Sequence, residues 1–147
     1  MVGKAITLRS IDLNKEHPMA EVIHQEIDFA ASPHRIYEAL MDSKQHAEFT
    51  ANGEAEIGRE AGGTFSCHGG VISGRNIELI QDKRIVQAWR VANWDEGIYS
   101  IVKIELQDHI GGTRLILDHA GFPDGNAEHL SPGWHERYWD PLRKYLA

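Results

Sequence analysis

Apolar residues first recur with period two between Glu21 and Phe29. Ile23, Ile27 and Phe29 share one face with Gln25, while His24, Glu26 and Asp28 share the other, the pattern of a strand with one wet side. Ala31-Ser32-Pro33 stops that strand and starts a helix, with Ser32 as cap and Pro33 in the first turn. Ile36, Tyr37, Leu40 and Met41 form its apolar side. A second short helix is predicted from about Ser43 to Phe49, with Ala47 and Phe49 as its apolar positions. From Gly53 the period returns to two for roughly 70 residues. Strands are predicted at 55–57, 64–69, 71–80 (with a bulge at Gly74), 84–91, 98–107 and 113–121, joined by short turns rich in Gly, Asp and Asn. Short connections between successive strands predict an antiparallel meander.

The period changes again at Ser131–Leu146, SPGWHERYWDPLRKYL. Ser131 and Pro132 read as a helix start. At 100° per residue, Trp134, Tyr138, Trp139, Leu142, Tyr145 and Leu146 fall in one arc of roughly 140°, with charged residues opposite. His135 falls inside the apolar arc. Pro141 lies mid-helix and predicts a kink. Four of the chain's twelve Phe, Trp and Tyr residues lie in this segment, so a broad apolar surface must cover it. A sheet with one dry face needs such a cover. The predicted architecture is α+β: a curved antiparallel sheet of six or seven strands wrapped around one long C-terminal helix, with two short helices after the first strand. Any space left between sheet and helix is a cavity.

At 147 residues and 41% apolar content the chain supports one core. Residues 1–19 keep no single period and read as an N-terminal arm, leaving 20–147 as the folded domain. A net charge of −7, with no long basic run, argues against nucleic acid and anionic membrane partners. The lone Cys67 excludes an intramolecular disulfide and fits a reducing compartment. No apolar run reaches a membrane span and no signal peptide is evident, so a cytoplasmic protein is expected.

Alternation also assigns the inner face. Ser100, Val102, Ile104 and Leu106 share a side, as do Leu115, Leu117 and His119, and as do Ile85, Gln87 and Trp89. Trp89, Val102, Ile104, Trp134 and Tyr138 are therefore the candidate walls of a ligand cavity, with His119 and His135 as polar groups that orient its occupant. A small apolar or amphipathic molecule is the expected ligand. The nine histidines include no pair at helical or short strand ligand spacing, so no metal is expected, and no cofactor motif is present. The inner face lacks paired carboxylates, which argues against two-acid hydrolysis. Acid–base chemistry by His119 or His135, of the cyclase or dehydratase type, is the enzymatic alternative.

The chain also resembles a known family. Glu48-Phe49-Thr50, Gly62-Gly63-Thr64-Phe65, Ile72-Ser73-Gly74, Glu78-Leu79, Lys83–Arg90, Trp94-Asp95-Glu96-Gly97 and Gly133-Trp134 to Tyr138-Trp139 are similar to motifs of the activator of 90-kDa heat-shock protein ATPase homologue family. The likeness runs from about Ala20 to Leu146. It implies the START-like (birch-pollen-allergen-like, SRPBCC) helix-grip fold, a role in stress response and a heat-shock chaperone as partner. Eukaryotic members carry a further N-terminal domain, whereas only about 20 residues precede the family region here, which implies a stand-alone single-domain relative. An exposed edge strand and the arm leave room for a homodimer.

Overall fold

A computed structural model describes residues 21–147; the arm expected over 1–19 lies outside them. The elements are β1 (Val22–Phe29), α1 (Pro33–Met41), α2 (Ser43–Thr50), β2 (Glu56–Ile57), β3 (Thr64–Cys67), β4 (Ile72–Ile80), β5 (Arg84–Val91), β6 (Ser100–His109) and β7 (Gly112–Ala120). The chain ends in α3 (Ala127–Trp134), a π-helical turn (His135–Trp139) and α4 (Asp140–Leu146), which run on as one C-terminal helix. The seven strands form one antiparallel sheet in the order β1-β7-β6-β5-β4-β3-β2. This is the helix-grip arrangement.

The alternation acts as expected. Ile23, Ile27 and Phe29 are buried on β1, Val102, Ile104 and Leu106 on β6, and Thr113, Leu115, Leu117 and His119 on β7. The wet face carries cross-strand ion pairs: Arg114 on Asp28 at 2.8 Å and Arg84 on Glu105 at 3.1 Å. Such exposed pairs each contribute roughly 0–1 kcal/mol, so the dry face holds the fold together. Ser32 caps α1 by accepting the Arg35 N–H, and Asp42 caps α2 by accepting that of Gln45. Asp42 is also the residue on which α1 ends, so the two short helices meet without a linker.

Four local expectations are corrected. The bulge in β4 falls at Ile77, between Asn76 and Glu78, not at Gly74. Gly74 stays in register opposite Trp89 and is glycine for space: a Cβ there would lie 1.8 Å from the Ala88 carbonyl oxygen and 2.8 Å from Phe65 Cζ. On α2 the buried residues are His46 and Phe49, not Ala47. The C-terminal helix begins four residues before Ser131, at Ala127, with Pro132 inside it.

The fourth correction is His135, which is exposed while Trp134, Tyr138, Trp139, Leu142 and Leu146 are buried. The π-turn supplies the reason. Its hydrogen bonds close over five residues, as in Asp140 N–H to His135 C=O, so the helix winds less than 100° per residue through this turn. The apolar positions before and after it slip into a narrower arc, and His135 rotates off that arc. Pro141, which has no N–H to give the preceding turn, stands just beyond it.

Candidate functional site

The C-terminal helix crosses the dry face, and its aromatic side chains meet those of the sheet. Trp134 lies against Trp89 (ring centroids 5.6 Å), stacks on Trp139 (5.4 Å, interplanar 13°) and touches Tyr138 (4.8 Å). Trp139 is tied to β1, its indole N–H donating to Gln25 Oε1 at 2.8 Å. Gln25 Nε2 in turn donates to the Ser131 carbonyl at 2.9 Å. The half-buried Gln25 thus fastens the helix to the sheet edge.

His119 is wholly buried and both of its nitrogens are occupied. The Trp134 indole N–H donates to Nδ1 at 3.1 Å. Nδ1 is then the acceptor, so Nε2 carries the proton and donates to Ser100 Oγ at 2.8 Å. The Ser100 hydroxyl in turn donates a hydrogen bond to the Trp89 carbonyl at 2.8 Å. Burial drives the His119 pKa down to about 3, so the ring is neutral. It offers nothing further to a ligand.

A second buried chain was missed by the sequence reading. Tyr138 Oη lies 3.0 Å from His68 Nε2 and 3.2 Å from His46 Nε2. Asn52 Nδ2 lies 3.2 Å from His68 Nδ1. Asn52 Nδ2 can only donate, so His68 Nδ1 accepts, His68 Nε2–H donates to Tyr138 Oη, Tyr138 donates to His46 Nε2, and the relay ends at His46 Nδ1–H, a buried group with no partner among the described residues. Burial, and then the charge of His68, lower the His46 pKa to about 4. Burial, and then Arg137, lower that of His68. Burial raises Tyr138 well above the usual phenol value and pushes the Cys67 thiol up to about 12, which leaves Cys67 a packed, inert thiol. His46 was legible in principle, since it shares a helix face with Phe49 three residues on. Nothing in the sequence couples it to His68 or Tyr138.

Two spaces adjoin these aromatics. The interior void between sheet and helix measures only about 30 Å³ and is lined by His46, Gln87 and apolar side chains. A cleft of about 510 Å³ opens outside it, between α3, the ends of β4 and β5, and the β5–β6 connection. Its floor is Trp89, Trp94, Trp134 and Tyr138, and its rim carries Glu128, Glu136 and Arg137. Of the seven predicted site residues, Trp89, Trp134 and Tyr138 therefore line the cleft. Ile104 touches only the small void, Val102 is sealed in the core, His119 is consumed by its relay, and His135 is outside. Trp94 was not predicted as a wall; its indole N–H bonds Asn126 Oδ1 at 3.3 Å, closing one end of the cleft.

Among the described residues one group, His34, Glu38 and Asp82, brings three metal-ligand types within 4.8 Å. His34 there bonds Asp82 at 3.0 Å, and Arg59 grips Glu38 at 2.7 Å, so the ligand atoms are already engaged. No helix among the described residues is long and apolar enough to cross a membrane.

Comparison with known proteins gives a consistent picture. The family described as Activator of Hsp90 ATPase homolog 1-like protein matches residues 30–147. The human activator of 90 kDa heat shock protein ATPase homolog 1 is 28% identical over 116 residues, which is 79% of this chain and 34% of the human protein. The chain spans about a third of the length of the curated relatives it matches first. The crystal structure of an Hsp90 activator from Plasmodium falciparum matches with a TM-score of 0.77 and 25% identity, over 86% of this chain and 94% of that one. The Aha1 dimer from Colwellia psychrerythraea shares the fold, with a TM-score of 0.73 and 18% identity over 86% of this chain and 96% of that one.

Proposed function

The chain belongs to the Activator of Hsp90 ATPase homolog 1-like family, and from that premise we propose that its domain is a non-catalytic binding module for a small amphipathic molecule. The site is the cleft between the C-terminal helix and the ends of β4 and β5. The observation that carries this reading is the cleft's volume of about 510 Å³ over a floor of three tryptophans and a tyrosine. Ligand sites usually span roughly 300–1,000 Å³ and combine an apolar lining with a few polar groups. The rim supplies Arg137, Glu128 and Glu136 to meet a polar end.

The test starts with native mass spectrometry of the purified protein. A reproducible extra mass, lost on denaturation, supports the reading and supplies the ligand for identification. Titration of that ligand against tryptophan fluorescence should saturate, and Trp94→Ala should weaken it at least about tenfold if the ring is a buried anchor. A Trp94→Ala protein that binds as tightly as the parent sinks the cleft assignment.

A second reading draws on the relatives, two of which are named as Hsp90 activators. On it, this domain regulates a heat-shock chaperone ATPase through its surface and needs no bound molecule. Stimulation of Hsp90 ATP hydrolysis by the purified chain supports it; an unchanged rate at saturating protein rejects it.

A further inference from the structure

We infer that His46 holds the polar end of a hydroxyl-bearing aromatic ligand, which reaches it from the cleft when the Trp89 side chain swings aside. This deepens the cleft reading and rests on it. Four observations converge. The cleft and the interior void share Trp89, Trp134 and Tyr138 as walls, so these three rings are the partition between the two spaces. The void, at about 30 Å³, is the size of roughly one water molecule. It is lined by His46, whose Nδ1 is buried and unpartnered among the described residues. Buried polar atoms are almost always paired, so this nitrogen marks a place where a partner belongs.

The partition has one untied panel. Trp134 is held by His119 at 3.1 Å, and Tyr138 by His46 and His68. The Trp89 indole N–H makes no hydrogen bond among the described residues; its ring is kept in place by packing on Trp94, His119 and Trp134. A flat aromatic ligand can take over those contacts when the indole leaves. The π-turn at His135–Trp139 contains Tyr138 of the same partition, and such turns are frequent at functional sites.

The chemistry of His46 selects the ligand class. Its Nε2 accepts from the Tyr138 hydroxyl, because the relay starts at the donor Asn52 Nδ2, so Nδ1 carries the proton and needs an acceptor. A neutral hydroxyl oxygen accepts from that N–H. Besides His46 and Tyr138 the void's lining offers only the neutral Gln87 amide and Cys67 thiol among apolar side chains such as Ile57, Phe65, Ile85 and Ile104, so a charged head there would be left without an opposite charge. A neutral phenol or alcohol on an aromatic ring is the fit.

The experiment compares 1-naphthol with 1-methylnaphthalene, which share a ring system and differ by hydroxyl against methyl. Both are titrated against the full chain and against His46→Phe. An apolar site prefers the methyl compound, because the hydroxyl must shed water. The expected result is a naphthol-to-methylnaphthalene affinity ratio that falls at least about tenfold in His46→Phe, the worth of one buried hydrogen bond. Saturable binding of both compounds with an unchanged ratio overturns the His46 assignment and leaves the cleft reading standing. Absence of saturable binding for either compound overturns both. A readout on the unmodified protein covers a variant that does not fold: the ¹⁵N resonance of His46 Nδ1 should move with 1-naphthol and stay put with 1-methylnaphthalene. No movement with saturating 1-naphthol rejects the proposal.

Discussion

The indole N–H of Trp134 donates to Nδ1 of His119 across 3.1 Å, and that single bond decides the tautomer of a wholly buried imidazole. The bond links the C-terminal helix to β7. Through Ser100 it continues to the backbone of β5. One polar chain therefore runs through the aromatic core with no member left over. Half-satisfied chains of this kind are costly, and satisfied ones specify a unique packing.

Replacing His119 with Phe keeps an aromatic ring and strands the Trp134 N–H. A buried, unpaired donor costs about 1–3 kcal/mol, and that loss should appear as a lower urea midpoint with an unchanged m-value. Adding Trp134→Phe removes the stranded donor, so the double variant should lose less than the two single losses together. Strict additivity would show that the two side chains do not interact energetically.

Acid should unfold the domain through its buried histidines. His119 and His46 have folded pKa values of about 3 and about 4, against about 6.5 in the unfolded chain. The unfolded state therefore binds more protons between those values, and stability falls as the pH drops below about 6.5. Each histidine removes up to about 1.4 kcal/mol per pH unit until its folded pKa is reached. His24 works in the opposite sense: the hydrogen bonds it donates to Asp118 and Glu26 raise its pKa, so its contribution is present at low pH and lost as pH rises through the raised value. Urea midpoints at pH 7, 6 and 5 should decline, and the decline should be shallower in His119→Phe. A parent protein equally stable at pH 7 and pH 5 would contradict the burial of both rings.

Gly74→Ala tests a close approach of two strands. The added Cβ would sit 1.8 Å from the Ala88 carbonyl oxygen, which is backbone and cannot rotate away. A loss of about 3 kcal/mol or more is expected, at the upper end of overpacking. Trimming the other neighbour, Phe65→Leu, should not restore the midpoint. Rescue by that change would place the clash on the side chain instead.

Asn76→Asp probes the anchor of the loop between β2 and β3. The buried Asn76 donates through Nδ2 to the Gly58 carbonyl at 2.7 Å and accepts from Gln87 at 3.0 Å. A carboxylate would face that carbonyl oxygen with no proton to offer. The expected loss is about 3 kcal/mol at pH 7, the scale of an uncompensated buried polar group. Protonation restores the donor, so the gap between variant and parent should narrow at pH 5. A constant gap would show that the donor to Gly58 is not what the site requires.

Much of the architecture was legible because strand alternation leaves each inward side chain one place to be buried. The inner faces of β1, β5, β6 and β7, the cap at Ser32, and the aromatic stripe from Trp134 to Leu146 follow from residue order and period alone. The bulge at Ile77 was not legible, because Gly74 answers to the close Ala88 carbonyl of the next strand, an approach that residue order does not show.

For the site, the sequence by itself determined which rings face inward: Trp89, His119, Trp134 and Tyr138. Only the tertiary structure decided what they enclose. Whether space remains between a sheet and a helix depends on how far the rings from both sides interpenetrate. Here Trp89, Trp134 and Tyr138 nearly close it, leaving a void of about 30 Å³ inside and the open cleft outside. The outward turn of His135 came from a local change in helical winding at residues 135–139. The meeting of His46 with Tyr138, 92 residues away, came from packing between α2 and the C-terminal helix. Periodicity reports which way a residue points within its own element; contact between elements is set by their joint packing, which no single period carries.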